Sequence, residues 1–174
     1  MDLVRKAQKF ATRAHKGQVR KYTGEPYIVH PIAVAETVRI HGGSDEMVAA
    51  AMLHDTIEDT DVTYEDIHKE FGVTVAGLVR ELTDTSRPSD GNRAARKGID
   101  RRRLAKASAE AQTIKLADLI DNTTSIVAHD PGFARIYLKE KAALLKVMTK
   151  GLAALRIMAF CQVTHEVLGG IKNA

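Results

Sequence analysis

The apolar run Met47-Val48-Ala49-Ala50-Ala51-Met52-Leu53, with His54, Asp55, Glu58 and Asp59 crowded directly behind it, restricts the fold more than any other stretch of the chain. Such a run presents no polar face, so a helix built from it is buried on every side. Its polar end must open onto something that repays desolvating an imidazole and several carboxylates. At helical spacing His54 and Glu58 share a face, as do Asp55 and Asp59, and Asp55 lies three residues from Glu58. An adjacent His-Asp pair offers one divalent cation a neutral nitrogen and an anionic oxygen, leaving Glu58 and Asp59 to handle protons. The plain alternative is a solvated acidic helix end. Against it, acids at the C-terminal end of a helix oppose its dipole, and a cation would remove that penalty.

The surrounding pattern is helical throughout. Val4, Ala7, Phe10, Ala11 and Ala14 form one stripe, which stops near His15-Lys16-Gly17. The stretch from Gln18 to Pro31, with a glycine, two prolines and a basic pair, predicts a structured loop, and Pro31 sets His30 at the entrance of the next helix. Gly42-Gly43 ends that helix, and Ser44 caps the one carrying the apolar run. Thr63 starts a helix that stops at Gly72, and another follows from Thr74. Residues 84–91 are a loop, and His129-Asp130-Pro131-Gly132 is a turn with little metal weight despite its His-Asp pair. Two final helices run from Phe133 to Lys150 and from Leu152 to Leu168, the second ended by Gly169-Gly170. No stretch alternates like a strand, and the 174 residues suit one domain, so the expectation is a single all-α domain over 1–174 with about eight or nine helices.

Composition narrows the setting. No segment reaches the apolar length of a membrane span, and the charged N-terminus lacks a signal-peptide core, which predicts no membrane partner. One cysteine, Cys161, excludes an internal disulfide and fits a reducing cytoplasm; its apolar neighbours from Ile157 onward predict a packed side chain. Eight Lys/Arg between Arg87 and Lys106 against Asp90 and Asp100 give that segment +6 of a net +4, so the rest carries −2. Such a segment suits a polyphosphate or nucleic acid, or else forms a solvated face.

Further ligand candidates come from elsewhere in the chain. Asp118 stands inside the largely apolar Ala111–Asn122 run with Asn122 one turn on, and it needs a partner, a cation or a core hydrogen bond. His30, alone, reads first as a surface or capping histidine, and as a ligand only where other ligands call for it.

Together His30, His54-Asp55 and Asp118 supply two imidazoles and two carboxylates, which resembles the ligand set of the HD-domain phosphohydrolases. The loop Arg20-Lys21-Tyr22-Thr23-Gly24-Glu25-Pro26-Tyr27-Ile28-Val29-His30-Pro31, the box His54-Asp55-Thr56-Ile57-Glu58-Asp59, and Lys115-Leu116-Ala117-Asp118 with Asn122 resemble the hydrolase domain of the RelA/SpoT family. With no further domain attached, the chain is similar to the stand-alone small alarmone hydrolases. The resemblance spans Arg20 to Asn122 in the family's order and implies an HD-type helical bundle. It implies that His30, His54, Asp55 and Asp118 bind one Mn²⁺ and that Glu58 and Asp59 position and deprotonate the attacking water. Arg20 and Lys21 would line the nucleotide, with Asn122 near the ribose and phosphates and Ser125 a weaker candidate there. The implied reaction is hydrolysis of a guanosine 3′,5′-bis-polyphosphate to a 5′-nucleotide and pyrophosphate. The basic Arg87–Lys106 segment and Asp121 depart from the family pattern, which keeps adenosine alarmones and NADPH as alternative substrates. A nucleic-acid-binding helical module is the reading from another class, and the complete ligand set disfavours it.

Overall fold

The computed structural model describes residues 2–172, with side chains through Glu166; among them are nine α-helices, one 3-10 turn at Pro88–Asp90 and no strand. The predicted all-α class holds. The chain forms two compact units, Met1–Asp84 and Thr85–Ala174.

The first unit is organised around helix α3 (Asp45–Leu53), against which α1 (Leu3–Ala14), α2 (Val29–Ile40) and α5 (Tyr64–Leu82) pack. Ser44 caps α3 as expected, its hydroxyl accepting from the Met47 amide, and every residue from Val48 to Leu53 is buried. Three successive alanines let the neighbouring helices approach closely, while Val48, Met52 and Leu53 each add about 1.5–3 kcal/mol of burial. Thr63 and Asp66 close a capping box at the start of α5. Gly72 interrupts that helix at φ 83°, a left-handed conformation that glycine adopts without a side-chain clash, so the predicted stop at Gly72 is a kink between two helical stretches.

The region expected to be loop between α1 and α2 is a small hairpin. Val19 pairs with Pro26 as an isolated antiparallel bridge, the Arg20 amide donates to the Glu25 carbonyl at 2.8 Å, and Gly24 at φ 70° turns the chain. Arg20 and Lys21 sit on this hairpin.

The second unit contains α6 (Arg93–Leu104), α7 (Ala109–His129), α8 (Pro131–Leu145) and α9 (Ala153–Lys172), with α7, α8 and α9 packed against one another. The expected turn at residues 129–132 shrinks to Asp130, which caps α8 by accepting from the Phe133 amide at 3.0 Å; Pro131 occupies the first turn, where its missing N–H costs nothing. α8 ends at Leu145 rather than Lys150. The connection that follows is held by α7: Gln112 Oε1 accepts from the Lys150 and Gly151 amides at 2.8 and 3.2 Å, and Thr113 Oγ1 accepts from the Leu152 amide at 3.0 Å. Only glycine fits at 151, because a Cβ there would lie 2.7 Å from Leu116 Cδ1 and 3.1 Å from the Gln112 backbone carbon. α9 continues past Gly169-Gly170, since glycine penalises a helix by about 1 kcal/mol without forbidding it. Cys161 is exposed, not packed: its neighbour Ala159 takes the inward face of α9, leaving Ile157, Met158, Phe160 and Cys161 outward.

Candidate metal centre

The polar end of α3 departs from a continuous helix. After Leu53 the chain breaks at His54-Asp55, and a four-residue helix α4 (Thr56–Asp59) starts afresh with Asp55 as its N-cap. Side chains take over the last carbonyls of α3: Thr56 Oγ1 donates to Leu53 O at 2.7 Å, and His54 Nδ1 lies 2.7 Å from Ala51 O. The opposition between these acids and the dipole of α3 therefore does not arise in the form the sequence suggests. The one-turn relation of Asp55 and Asp59 survives, because the Asp59 amide donates to Asp55 O at 3.0 Å.

His30, His54 and Asp55 converge, with their ligand atoms all within 4.8 Å of one another. Asp55 Oδ2 lies 3.1 Å from His54 Nε2 and 3.6 Å from His30 Nε2, and both imidazoles are almost fully buried. The chemistry of this donor set fits a cation. Ala51 O can only accept, so the Nδ1 of His54 carries the proton and its Nε2, when neutral, turns a lone pair toward the anionic Asp55 oxygen. Two lone pairs at that distance repel unless a proton or a metal ion lies with them, and one buried face that combines two imidazoles with a carboxylate suits a divalent transition metal.

The other candidates of the first unit lie on α4 and on the Val19–Pro26 hairpin, and Tyr27, which the sequence did not single out, touches a ligand. Tyr27 donates its hydroxyl to Asp55 Oδ2 at 2.6 Å, steadying a ligand oxygen from behind. Glu58 accepts from the backbone amide of Asp84. Asp59 keeps part of its surface in solvent, yet desolvation pushes its carboxyl above the ordinary range; Asp55 adds to the rise, while the Tyr27 hydroxyl, His15 and His54 oppose it. A carboxylate raised in this way is a better base than a free one. Lys21 places its ammonium 4.6 Å above the Tyr22 ring and is exposed, and Arg20 is half-buried.

The remaining candidates belong to the second unit. Asp118 is buried on α7, with Lys115 Nζ 2.8 Å from Oδ2 and Asn122 Nδ2 donating to Oδ1 at 2.6 Å. Ser125 lies one turn beyond Asn122, its carbonyl 2.9 Å from His129 Nδ1. The basic segment forms α6 and spends part of its charge internally: Arg93 makes a bidentate pair with Glu140 at 2.7 and 2.8 Å and lies over the Phe133 ring.

Sequence reasoning passed over Tyr27, His15, Gln18 and Lys141. Tyr27 lies inside the Arg20–Pro31 loop with no role of its own in the pattern, and His15 reads as a helix end. The signal that could have found them is an aromatic or imidazole side chain at a turn beside a basic loop, too common to single out.

Residues 7–143 match the family model described as HD domain. A guanosine-3′,5′-bis(diphosphate) 3′-pyrophosphohydrolase of Aquifex aeolicus is 40% identical over 126 residues, covering 71% of this chain. This chain spans only 18% of that relative's length. The pyrophosphohydrolase MESH1 of Drosophila melanogaster is 39% identical over 125 residues, covering 70% of this chain and 68% of its own. A solved metazoan ortholog of SpoT, described as hydrolysing ppGpp, superposes with a TM-score of 0.85 at 29% identity over 95% of this chain and 96% of its own.

Proposed function

Because the chain belongs to the HD-domain family, alongside the MESH1 proteins, we propose that it hydrolyses guanosine 3′,5′-bis-polyphosphates (ppGpp and pppGpp) with Mn²⁺, releasing pyrophosphate from the 3′ position. The observation that carries this reading is the convergence of His30, His54 and Asp55, which combines nitrogen and oxygen donors in one buried corner. These three residues, with Asp118 as the proposed fourth ligand on the strength of its motif, would hold the ion. When bound, the metal would polarise the 3′-diphosphate and offset its negative charge.

The protein's own residues supply the rest. Glu58 and Asp59 hold the attacking water, and the Asp59 carboxylate, raised by desolvation, takes its proton. The water oxygen adds to the phosphorus bonded to the 3′-oxygen, the P–O3′ bond breaks, and a proton returned to O3′ completes the 5′-nucleotide as pyrophosphate departs. Tyr27, bonded to Asp55, keeps that carboxylate from swinging away. Arg20 and Lys21 engage the nucleotide, a guanidinium being suited to stacking on a base, while Asn122 and Ser125 approach the ribose and phosphates. The substrate is thus a soluble nucleotide, and no helix among the described residues is long and apolar enough to cross a membrane.

The test is a panel of ppGpp, ppApp and NADPH incubated with Mn²⁺-loaded protein, with pyrophosphate and orthophosphate measured separately. Pyrophosphate from ppGpp in preference to the others is the expected outcome. Orthophosphate from NADPH alone would overturn the substrate assignment. On the same preparations Glu58→Gln and Asp59→Asn are expected to lose roughly 10²- to 10⁴-fold in turnover while retaining metal. Loss of metal in step with activity would make those two residues ligands.

A further inference from the structure

His15 belongs to none of the motifs assigned above, yet it is built into the same unit as the metal cluster. It forms the C-cap of α1, is 3% exposed, and places Nδ1 2.7 Å from Gln18 Oε1. The amide nitrogen of Gln18 in turn donates to the backbone carbonyl of Asp59 at 2.6 Å. That carbonyl can only accept, which turns the Gln18 side-chain oxygen toward His15. The oxygen also only accepts, so His15 must carry its proton on Nδ1. One relay of two hydrogen bonds therefore fixes both a histidine tautomer and the place of residue 59.

The other ring nitrogen makes this arrangement hard to explain as packing. His15 Nε2 is buried without a hydrogen-bond partner. Leaving such a group unsatisfied costs about 1–3 kcal/mol, which an apolar side chain of the same volume would avoid. The ring also lies 4.8 Å from the ring of Tyr27, whose amide donates to Gln18 O at 3.0 Å and whose hydroxyl holds Asp55. The Gln18 amide closes the turn by donating to His15 O at 3.0 Å. His15 and Gln18 thus brace Asp59 from one side and Tyr27 from the other.

We infer that His15 is a positioning residue for the hydrolysis, acting through Gln18 to hold Asp59 where its carboxylate meets the attacking water. The inference rests on the proposed role of Asp59. The geometric argument stands on the relay alone. A base displaced by a fraction of an ångström loses its line to the water, and such misplacements cost up to about 10²-fold in rate.

The experiment compares His15→Ala, His15→Asn and Gln18→Ala in the full chain, each also combined with Asp59→Asn. Asparagine can present an N–H near the position of Nδ1 and has no counterpart of Nε2. His15→Ala and Gln18→Ala should each lower kcat roughly 10- to 100-fold with KM and metal content unchanged. His15→Asn should recover most of the loss, and the two alanine substitutions together should cost no more than one. In the Asp59→Asn background neither should lower the residual rate further, because no base remains to misplace. The inference is overturned by wild-type kcat in His15→Ala, by an asparagine variant as slow as alanine, or by an equal loss with and without the Asp59 carboxylate. An equal loss would mark His15 as a general support of the fold. If Asp59→Asn itself turns over at the wild-type rate, it is the parent reading of Asp59 that fails, a result distinct from every outcome at His15.

Discussion

The two units treat buried charge in opposite ways. In the second, three buried ions meet their complements nearby: Lys141 Nζ donates to Leu119 O, Thr123 Oγ1 and Gln162 Oε1 at 3.1, 2.5 and 3.0 Å. Asp100 accepts from the Thr85 and Ser86 amides at 3.1 Å each and from Ser86 Oγ at 2.7 Å, and Asp118 is gripped by Lys115 and Asn122. In the first unit His54 Nε2 meets Asp55 Oδ2 acceptor to acceptor at 3.1 Å, with His30 beside them. A fold tolerates the first arrangement for its own sake, since in these three groups donor faces acceptor. The second makes sense when something positive arrives from outside. Density of buried charge is thus a poor guide to function, whereas the sign balance within the cluster is a good one.

That contrast can be broken most directly at His54. His54→Ala should strip the metal and lower turnover by at least about 10³-fold, the scale of several kcal/mol of transition-state stabilisation. Metal analysis and activity on one sample check it. Asp118→Ala sharpens the same contrast, because Asp118 is the residue of the second unit assigned a ligand role. Loss of metal would tie it to the ion, while retained metal with lowered stability would leave it wholly to its pairing with Lys115 and Asn122.

A middle-sized effect is expected at Lys141. Burial lowers its pKa from 10.5 to about 8, with Asp118 opposing the shift. Between these values the unfolded chain keeps a proton that the folded chain has released. The contribution of Lys141 to stability is therefore full above pH 10.5 and is lost as pH falls to about 8. Urea unfolding of wild type and Lys141→Met at a series of pH values should show their difference moving in favour of wild type by roughly 3 kcal/mol across that window. A flat difference would mean that the three acceptors fully offset the burial of the ammonium. The smallest effect is at Asp100, where Asp100→Asn should cost about 1–2 kcal/mol of stability and leave metal content untouched.

What the sequence disclosed follows from how local each feature is. The caps at Ser44 and Thr63 and the interruption at Gly72 are decided by residues within one turn, and all are found where the pattern puts them. The break after Leu53 was not legible. It depends on the Thr56 hydroxyl and the His54 ring capturing carbonyls that a helical pattern assigns to backbone amides. The Ile157–Cys161 run looked like core because five apolar neighbours were read without knowing how many neighbours α9 has; only one face of that helix is covered. The burial of Lys141 depends on acceptors 18 to 22 residues away in sequence, which no local pattern reveals. Within the candidate site, His30, His54 and Asp55 were readable because ligand chemistry restricts residue type. His15 and Gln18 were not, since a brace is defined by what it touches.

The grip of Gln112 on the connection between α8 and α9 has a kinetic corollary. Lys150 and Gly151 lie outside any helix, and a segment of that kind ordinarily trades its amide protons with solvent within local openings of little cost. Here those two protons point at a fully buried glutamine oxygen anchored in the middle of the second unit, so releasing them requires prying the connection off α7. In deuterated solvent the pair should therefore exchange on the slow timescale of α7 itself, marking a short irregular stretch as one of the last parts of this unit to open.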